Sequence, residues 1–108
     1  MKKIFDIYGA EANDLDLFRE IIQSALGMQF EAHESSYLGS YYRWGVQYGE
    51  EIVLQKNYDD VEKEFREERF KNFAILIYVN LSRDPDGIRK RLSTASSQVV
   101  FLERKELI

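Results

Sequence analysis

The chain has no cysteine, one histidine, one proline and one tryptophan in 108 residues. Without cysteine there is no disulfide framework, no thiolate-bound zinc or iron–sulfur cluster and no thiol nucleophile, so packing alone must hold the fold. The lone His33 leaves no His-rich metal site, and Ser–His–Asp chemistry would have to run through that one imidazole. Ser35 and Ser36 lie beside it, but no Gly-x-Ser-x-Gly turn presents a nucleophile. Glu31 and His33 offer two ligands from one strand face, too few for a dedicated metal site. The expectation is a protein that is not an enzyme and holds no cofactor or metal. Long apolar runs are also missing. Nothing approaches the roughly 20 residues that span a bilayer, and no signal-like stretch follows Met1-Lys2-Lys3, so a cytoplasmic protein without membrane contact is expected.

What is present suits one independent domain over 1–108, with 44% hydrophobic residues and 14% aromatics. Net charge is −4, a field that repels phosphate backbones and disfavours nucleic acid as a partner. The imbalance is local. Residues 1–54 carry nine acidic and four basic side chains, while residues 55–108 carry ten and eleven.

Lys3-Ile4-Phe5-Asp6-Ile7-Tyr8 predicts a first strand stopped by Gly9. A helix follows, capped by Asn13 and ended by Gly27, with Leu15, Phe18, Ile21, Ile22, Ala25 and Leu26 as its apolar face. Alternation over 28–34, then over 37–48, and the segment 51–56 predict an antiparallel meander of three strands. In the second of these, Leu38, Tyr42, Trp44, Val46 and Tyr48 fall on the core side. Residues 57–71 read as a solvated excursion with at most a short helix. Phe73-Ala74-Ile75-Leu76-Ile77-Tyr78-Val79 has the continuous apolar character of a strand buried on both faces, at the middle of the sheet. Asp84-Pro85 starts a second helix, which turns Ile88, Arg91, Leu92 and Ala95 to the sheet and leaves Arg89-Lys90-Arg91 as a solvated face rather than a nucleic-acid patch. Val99–Leu102 forms the last strand, ended by the charged tail 103–106.

The two ends correspond at an offset of seventy residues. Ile7-Tyr8 meets Ile77-Tyr78, Phe18 meets Ile88, Ile22 meets Leu92 and Phe30 meets Val100. Right-handed crossovers then predict an α+β two-layer sandwich, a ferredoxin-like split βαβ plan with an inserted antiparallel meander. The alternative is a mixed sheet whose second face is partly covered by residues 57–71.

By alternation Tyr37 and Tyr41 share a face with Arg43 and Gln47, opposite the core, and the neighbouring strand adds Glu31 and His33. Such a mixture has the composition of a protein-binding hot spot, or of a partly solvated second sheet face. Glu50, Glu51, Asp59 and Asp60, with Glu62 and Glu64 beyond, would form an acidic rim that steers a basic partner.

Three segments carry a resemblance: Tyr37-Leu38-Gly39-Ser40-Tyr41-Tyr42-Arg43-Trp44-Gly45, Gly49-Glu50-Glu51-Ile52-Val53-Leu54-Gln55-Lys56-Asn57, and Ile75-Leu76-Ile77-Tyr78-Val79-Asn80. In this order the chain resembles small immunity proteins of bacterial polymorphic and contact-dependent growth inhibition toxin systems, over nearly its whole length. The resemblance implies a monomer when free that binds and blocks a cognate toxin domain, and many such toxins are basic nucleases; the aromatic face and acidic rim supply Tyr37, Tyr41, Arg43, Glu51, Asp59 and Asp60 as the expected contact residues. A ferredoxin-like small-molecule-sensing domain acting as a dimer is the other reading held open.

Overall fold

The computed structural model of the chain describes residues 2–35 and 39–108. The described elements are, in order, β1 (Lys3–Ala10), α1 (Leu15–Leu26), β2 (Glu31–Ser35), β3 (Gly39–Gly45), β4 (Glu51–Lys56), β5 (Tyr58–Asp59), β6 (Glu64–Phe65), β7 (Ile75–Asn80), α2 (Pro85–Ala95) and β8 (Val99–Leu107), with a 3₁₀ turn at Glu68–Phe70 before β7. Six strands form one sheet in the order β2-β3-β4-β7-β1-β8, and β5 pairs with β6 as a separate ribbon. Every neighbouring pair in the sheet is antiparallel, which makes this an α+β domain and removes the mixed-sheet alternative. The expected meander is β2-β3-β4, and β7 lies centrally between β4 and β1. Among the described residues no helix is long and apolar enough to cross a membrane.

Helix α1 begins one residue later than Asn13 predicts. Asp14 is the cap: its Oδ1 accepts from the N–H of Asp16 at 3.0 Å and of Leu17 at 3.1 Å. A carboxylate there also meets the positive end of the helix dipole. Gly27 ends the helix in the left-handed region, as expected. In α2, Asp84 accepts from the Gly87 N–H at 3.1 Å and Pro85 opens the first turn. Both helices pack on one sheet face. Leu15, Phe18, Ile22 and Leu26 of α1 and Ile88 and Leu92 of α2 join Tyr8, Ala10, Ile52, Leu54, Ile75, Ile77 and Val79 in one buried cluster, with Tyr42 and Trp44 packed against its side. Arg91 stays exposed, but its Nη1 donates to the Leu26 carbonyl at 3.2 Å and ties the two helices together.

Several strand limits differ from the sequence expectation, each for a local reason. Strand β1 runs through Gly9, because Phe73 lies over that residue; a Cβ there would sit 2.5 Å from the Phe73 ring. Strand β2 starts at Glu31, not at 28. Strand β3 ends at Gly45, so the alternation does not continue, and Val46 and Tyr48 are exposed instead of in the core. Strand β8 continues through the charged residues because Glu103, Arg104 and Glu106 find partners, the last of them Lys2 at 3.7 Å. Glu103 accepts two hydrogen bonds from Arg69, at 3.1 and 3.0 Å. Arg104 donates to both oxygens of the fully buried Asp6, at 2.9 and 3.0 Å, and also reaches Asp86 at 3.0 Å.

The excursion after β4 does more than meet solvent. Asn57 is fully buried. Its Nδ2 donates to the carbonyls of Phe70 at 2.9 Å and Phe73 at 3.1 Å, and its Oδ1 accepts from the Glu67 N–H at 2.9 Å. Residues 58–73 are thereby folded back over the sheet face opposite the helices, where Tyr78 Oη donates to Glu67 and Phe73 covers Gly9. That cover buries Leu76, while Ile75 and Ile77 are buried on the helix side. Asn57→Ala is expected to destabilise the protein by about 2–4 kcal/mol, since two carbonyls and an N–H lose their partners inside the protein. Urea unfolding measures this, and hydrogen exchange in 58–73 should rise more than in β1.

Candidate functional site

Across the far sheet face, register places Arg43 beside Val53 and Val53 beside Tyr78; one step along, Glu51 lies beside Asn80, and Asn80 beside Phe5. Tyr78 meets the covering segment through Glu67, while Arg43, Glu51 and Asn80 bond among themselves. Arg43 is the centre of the group. Its Nε stands 3.2 Å from Glu51 Oε1, and its Nη2 donates to Tyr41 Oη at 3.3 Å. The Nε approach is one of charges, without a directed hydrogen bond. Asn80 Nδ2 donates to Glu51 Oε2 at 3.0 Å, which fixes the carboxylate from the other side. His33 stacks on Tyr41 with centroids 5.4 Å apart and planes at 15°, and the Arg43 guanidinium lies 5.4 Å from the same ring.

The structure therefore brings together Tyr41, Arg43 and Glu51 of the expected contact residues. Tyr37 lies outside the described residues. Tyr41 departs from the expectation of an open aromatic face: it is 8% exposed, enclosed by its cross-strand neighbours His33 and Gln55 and by Arg43. It serves as a floor on which Arg43 rests.

Asp59 and Asp60 lie elsewhere. Glu51 opens β4 and Asp59 lies past its end, about 26 Å away along an extended chain. The acidic rim is thus not continuous, and several of its members face cations. Glu50 stands 3.9 Å from the Arg83 guanidinium and accepts from the Arg83 backbone N–H at 2.8 Å, and Asp59 stands 3.7 Å from Arg66. Asp59 also accepts from the N–H groups of Val61 at 2.9 Å and Glu62 at 3.2 Å, closing the turn of the ribbon. The Glu62 N–H, then the Val61 N–H and Arg66, hold its carboxyl below the ordinary range against partial burial. Asp60 is exposed at a cleft of about 610 Å³ that Asp14, Asp16, Lys56 and Tyr58 also line.

A second, smaller groove of about 310 Å³ lies on the far face at the margin of the cover, over Phe5, Ile7, Tyr78, Asn80 and Leu107. Burial, and then Glu67, push the Tyr78 phenol well above its ordinary value, so it remains a donor. Among the described residues no group of three or more His, Asp or Glu gathers as a metal site. Sequence reasoning passed over Asn80, whose role depends on strand register, and placed Val46 and Tyr48 on the core side although the glycines at 45 and 49 bracket a turn. No known protein-family model matches the chain, and no curated protein matches it in sequence.

Two expectations follow from these contacts. Arg43→Met leaves the Glu51 carboxylate largely buried without its cation and should cost about 3 kcal/mol in urea unfolding, whereas Arg43→Met with Glu51→Leu should recover most of that loss. The second concerns acid. Asp59 and Glu103, the latter held low by the Arg69 hydrogen bonds, both have folded pKa values below their unfolded ones. Their contribution is complete above about pH 4.5 and is lost as pH falls through the folded values. Hydrogen exchange in 58–71, corrected for its intrinsic pH dependence, should therefore accelerate below about pH 4 while β7 remains protected. Equal loss of protection in both segments would count against local release.

Proposed function

We propose that this chain is a toxin-neutralising protein of the bacterial polymorphic or contact-dependent kind, which binds a cognate toxin domain and blocks it without chemistry of its own. One observation carries the reading. Strands β3, β4 and β7 carry described residues of the three segments on which the resemblance rests, and a polar residue of each meets in one cluster: Arg43 from the first, Glu51 from the second and Asn80 from the third. Arg43 and Glu51, each with 13% of its side chain exposed, are held in place by this cluster, so a partner that covers their exposed part costs them little side-chain freedom. The net charge of −4 favours a basic partner such as a nuclease domain, and exposed Glu31, Glu34 and Asp60 add to its attraction. Arg43, Glu51, Asp59 and Asp60 are the proposed contacts, Tyr41 the support beneath Arg43, and Tyr37, outside the described residues, a further proposed contact.

The sheet is read in the same spirit as a ferredoxin-like plan. Supporting this, β7 sits between β1 and β4, β1 sits between β7 and β8, and α1 and α2 lie in the two crossovers. The β2-β3 hairpin then adds two strands at one edge.

A second reading is favoured by the groove at Phe5, Ile7 and Leu107 beside the free edge of β8: a small-molecule-sensing dimer. The two differ in oligomeric state and in what raises the melting temperature. Titration calorimetry against a catalytically disabled toxin domain encoded immediately upstream should show a one-to-one complex, weakened about tenfold between 50 and 300 mM salt. A dimer that ignores this domain and melts higher with a small molecule would overturn the proposal in favour of the second reading.

A further inference from the structure

The turn between β3 and β4 combines two features that ordinarily exclude each other. Tyr48 is 89% exposed and Val46 70% exposed, so their side chains contribute little packing to the free protein. Tyr48 also has a φ of +64°, in the left-handed region that an aromatic L-residue adopts only against a steric penalty. The Gly49 N–H donates to the Val46 carbonyl at 2.9 Å, which places Tyr48 third in a four-residue turn. With a negative φ at Gln47 and a positive one at Tyr48, this is the type II arrangement, whose third position favours glycine or asparagine. The free protein thus carries a strained aromatic that gains almost no burial in return.

The surroundings hold this turn in place. The Val46 N–H donates to the Glu50 carbonyl at 3.0 Å. Gly45 has a φ of +98°, and a Cβ there would lie 2.1 Å from the same carbonyl oxygen, so the hairpin can close this tightly only on glycine. Below the turn, Glu50 is fastened to the Arg83 N–H and Glu51 to Arg43 and Asn80. The other exposed non-glycine residue with positive φ, Lys63, is a polar residue in the ribbon turn, and Leu81 is half-buried with its N–H donating to the Ile4 carbonyl. Among the described residues, strain and near-complete exposure of an aromatic coincide only at Tyr48.

We propose that the Val46–Gly49 turn is a preformed docking knob whose Tyr48 ring enters an apolar pocket on the partner protein, with Val46 packing at the pocket's lip. Strain and exposure in the free state are both compatible with a ring that is covered only in the complex, and a fixed turn loses little freedom there. A protein pocket fits better than a lipid surface or a nucleic acid. The turn sits beside the partly exposed Glu50 in a chain of net charge −4, and that charge opposes anionic headgroups and phosphates alike. Glu51 is occupied by Arg43 and Asn80, but the Glu50 side chain stays 31% exposed beside the turn, and with the net charge of −4 it favours basic groups at the pocket's rim.

The inference rests on the toxin-neutralising reading, and its test separates the two. Wild type, Tyr48→Gly and Tyr48→Phe are titrated against the disabled upstream toxin domain at two salt concentrations, and the melting temperature of each free protein is recorded. Tyr48→Gly should melt at or above the wild-type temperature, because it relieves the backbone, yet bind at least about tenfold more weakly at both salt concentrations. Tyr48→Phe should bind within about threefold of wild type, since the ring and not the hydroxyl fills the pocket. Weakening below tenfold for Tyr48→Gly, a lower melting temperature for it, or an equal loss in Tyr48→Phe would overturn the knob while leaving the broader reading intact. A wild type that does not bind would overturn both.

Discussion

Asn57 leaves the end of β4 with its amide protons and its oxygen committed to a segment ten to sixteen residues further on. Much of the architecture on the far side of the sheet depends on that commitment. The segment from 58 to 73 has few apolar side chains of its own, and a chain of that composition would otherwise remain solvated. Pinned through Asn57, it delivers Phe73 onto Gly9 and Glu67 onto Tyr78. Strand β7 thereby gains a second dry face, and the far face is divided into a covered part and an open one. The Arg43–Glu51–Asn80 cluster instead covers itself, with 13% of the Arg43 and Glu51 side chains left exposed. A single asparagine thus decides which sheet residues meet solvent and which do not.

On the helix side the corresponding constraint is the Asp6–Arg104 pair, which also selects a register. Strands β1 and β8 shift by one residue between Ile7 and Tyr8. Without the extra residue Leu102, Asp6 would face Glu103, two carboxylates on one buried site. With it, Asp6 faces Arg104, and Glu103 moves to the other face, where Arg69 meets it. The shifted register therefore turns a repulsion into two ion pairs. Arg104 is held protonated well above its ordinary range, first by the Asp6 hydrogen bonds, and burial followed by Asp6 pushes the Tyr8 phenol up to about 12. Burying such a pair is costly, and its worth lies in the excluded register more than in net stability. The same region shows the internal correspondence most clearly. Ile7 and Tyr8, matched to Ile77 and Tyr78 at the offset of seventy, are those residues' partners across the strands, as expected about a local two-fold axis. Phe18, Ile22, Ile88 and Leu92 are all buried on the same side, whereas Phe30 is buried and Val100 exposed, so the correspondence fades towards the edges.

What the sequence disclosed follows from the range of the forces involved. The helices, their caps and the central strand were legible because three- and four-residue periodicity, Asp84-Pro85 and a continuous apolar run are local signals. Glycine was misleading where its role is set by a distant residue: Gly9 makes room for Phe73, sixty-four positions away, and does not end a strand. The charged stretch 103–106 read as a tail because its partners, Arg69, Asp6 and Asp86, come from three other elements. Tyr48 was assigned to the core by carrying an alternation across Gly45, where a left-handed backbone ends the strand. The polar cluster joins residues 43, 51 and 80, and no spacing within one segment announces it. Only register does.

The two ends of β4 now differ in how they are held. At the far end, the ribbon turn is closed by an ionised Asp59 and braced by Arg66, so its order depends on pH and is weakened by screening. At the near end, the 46–49 turn is closed by backbone hydrogen bonds and by the one residue type that fits at 45, and neither responds to acid or salt over the ordinary range. A partner engaging the near end meets a surface whose shape is settled before contact, and its affinity there comes from covering apolar area. A partner engaging the far end meets charge, which acts over longer distances and governs encounter more than residence. One protein face can use both if its basic groups arrive first at the ribbon and its apolar pocket closes last on the turn. In that order the acidic charge hastens the encounter, and the strained tyrosine gains its burial only when the complex is formed.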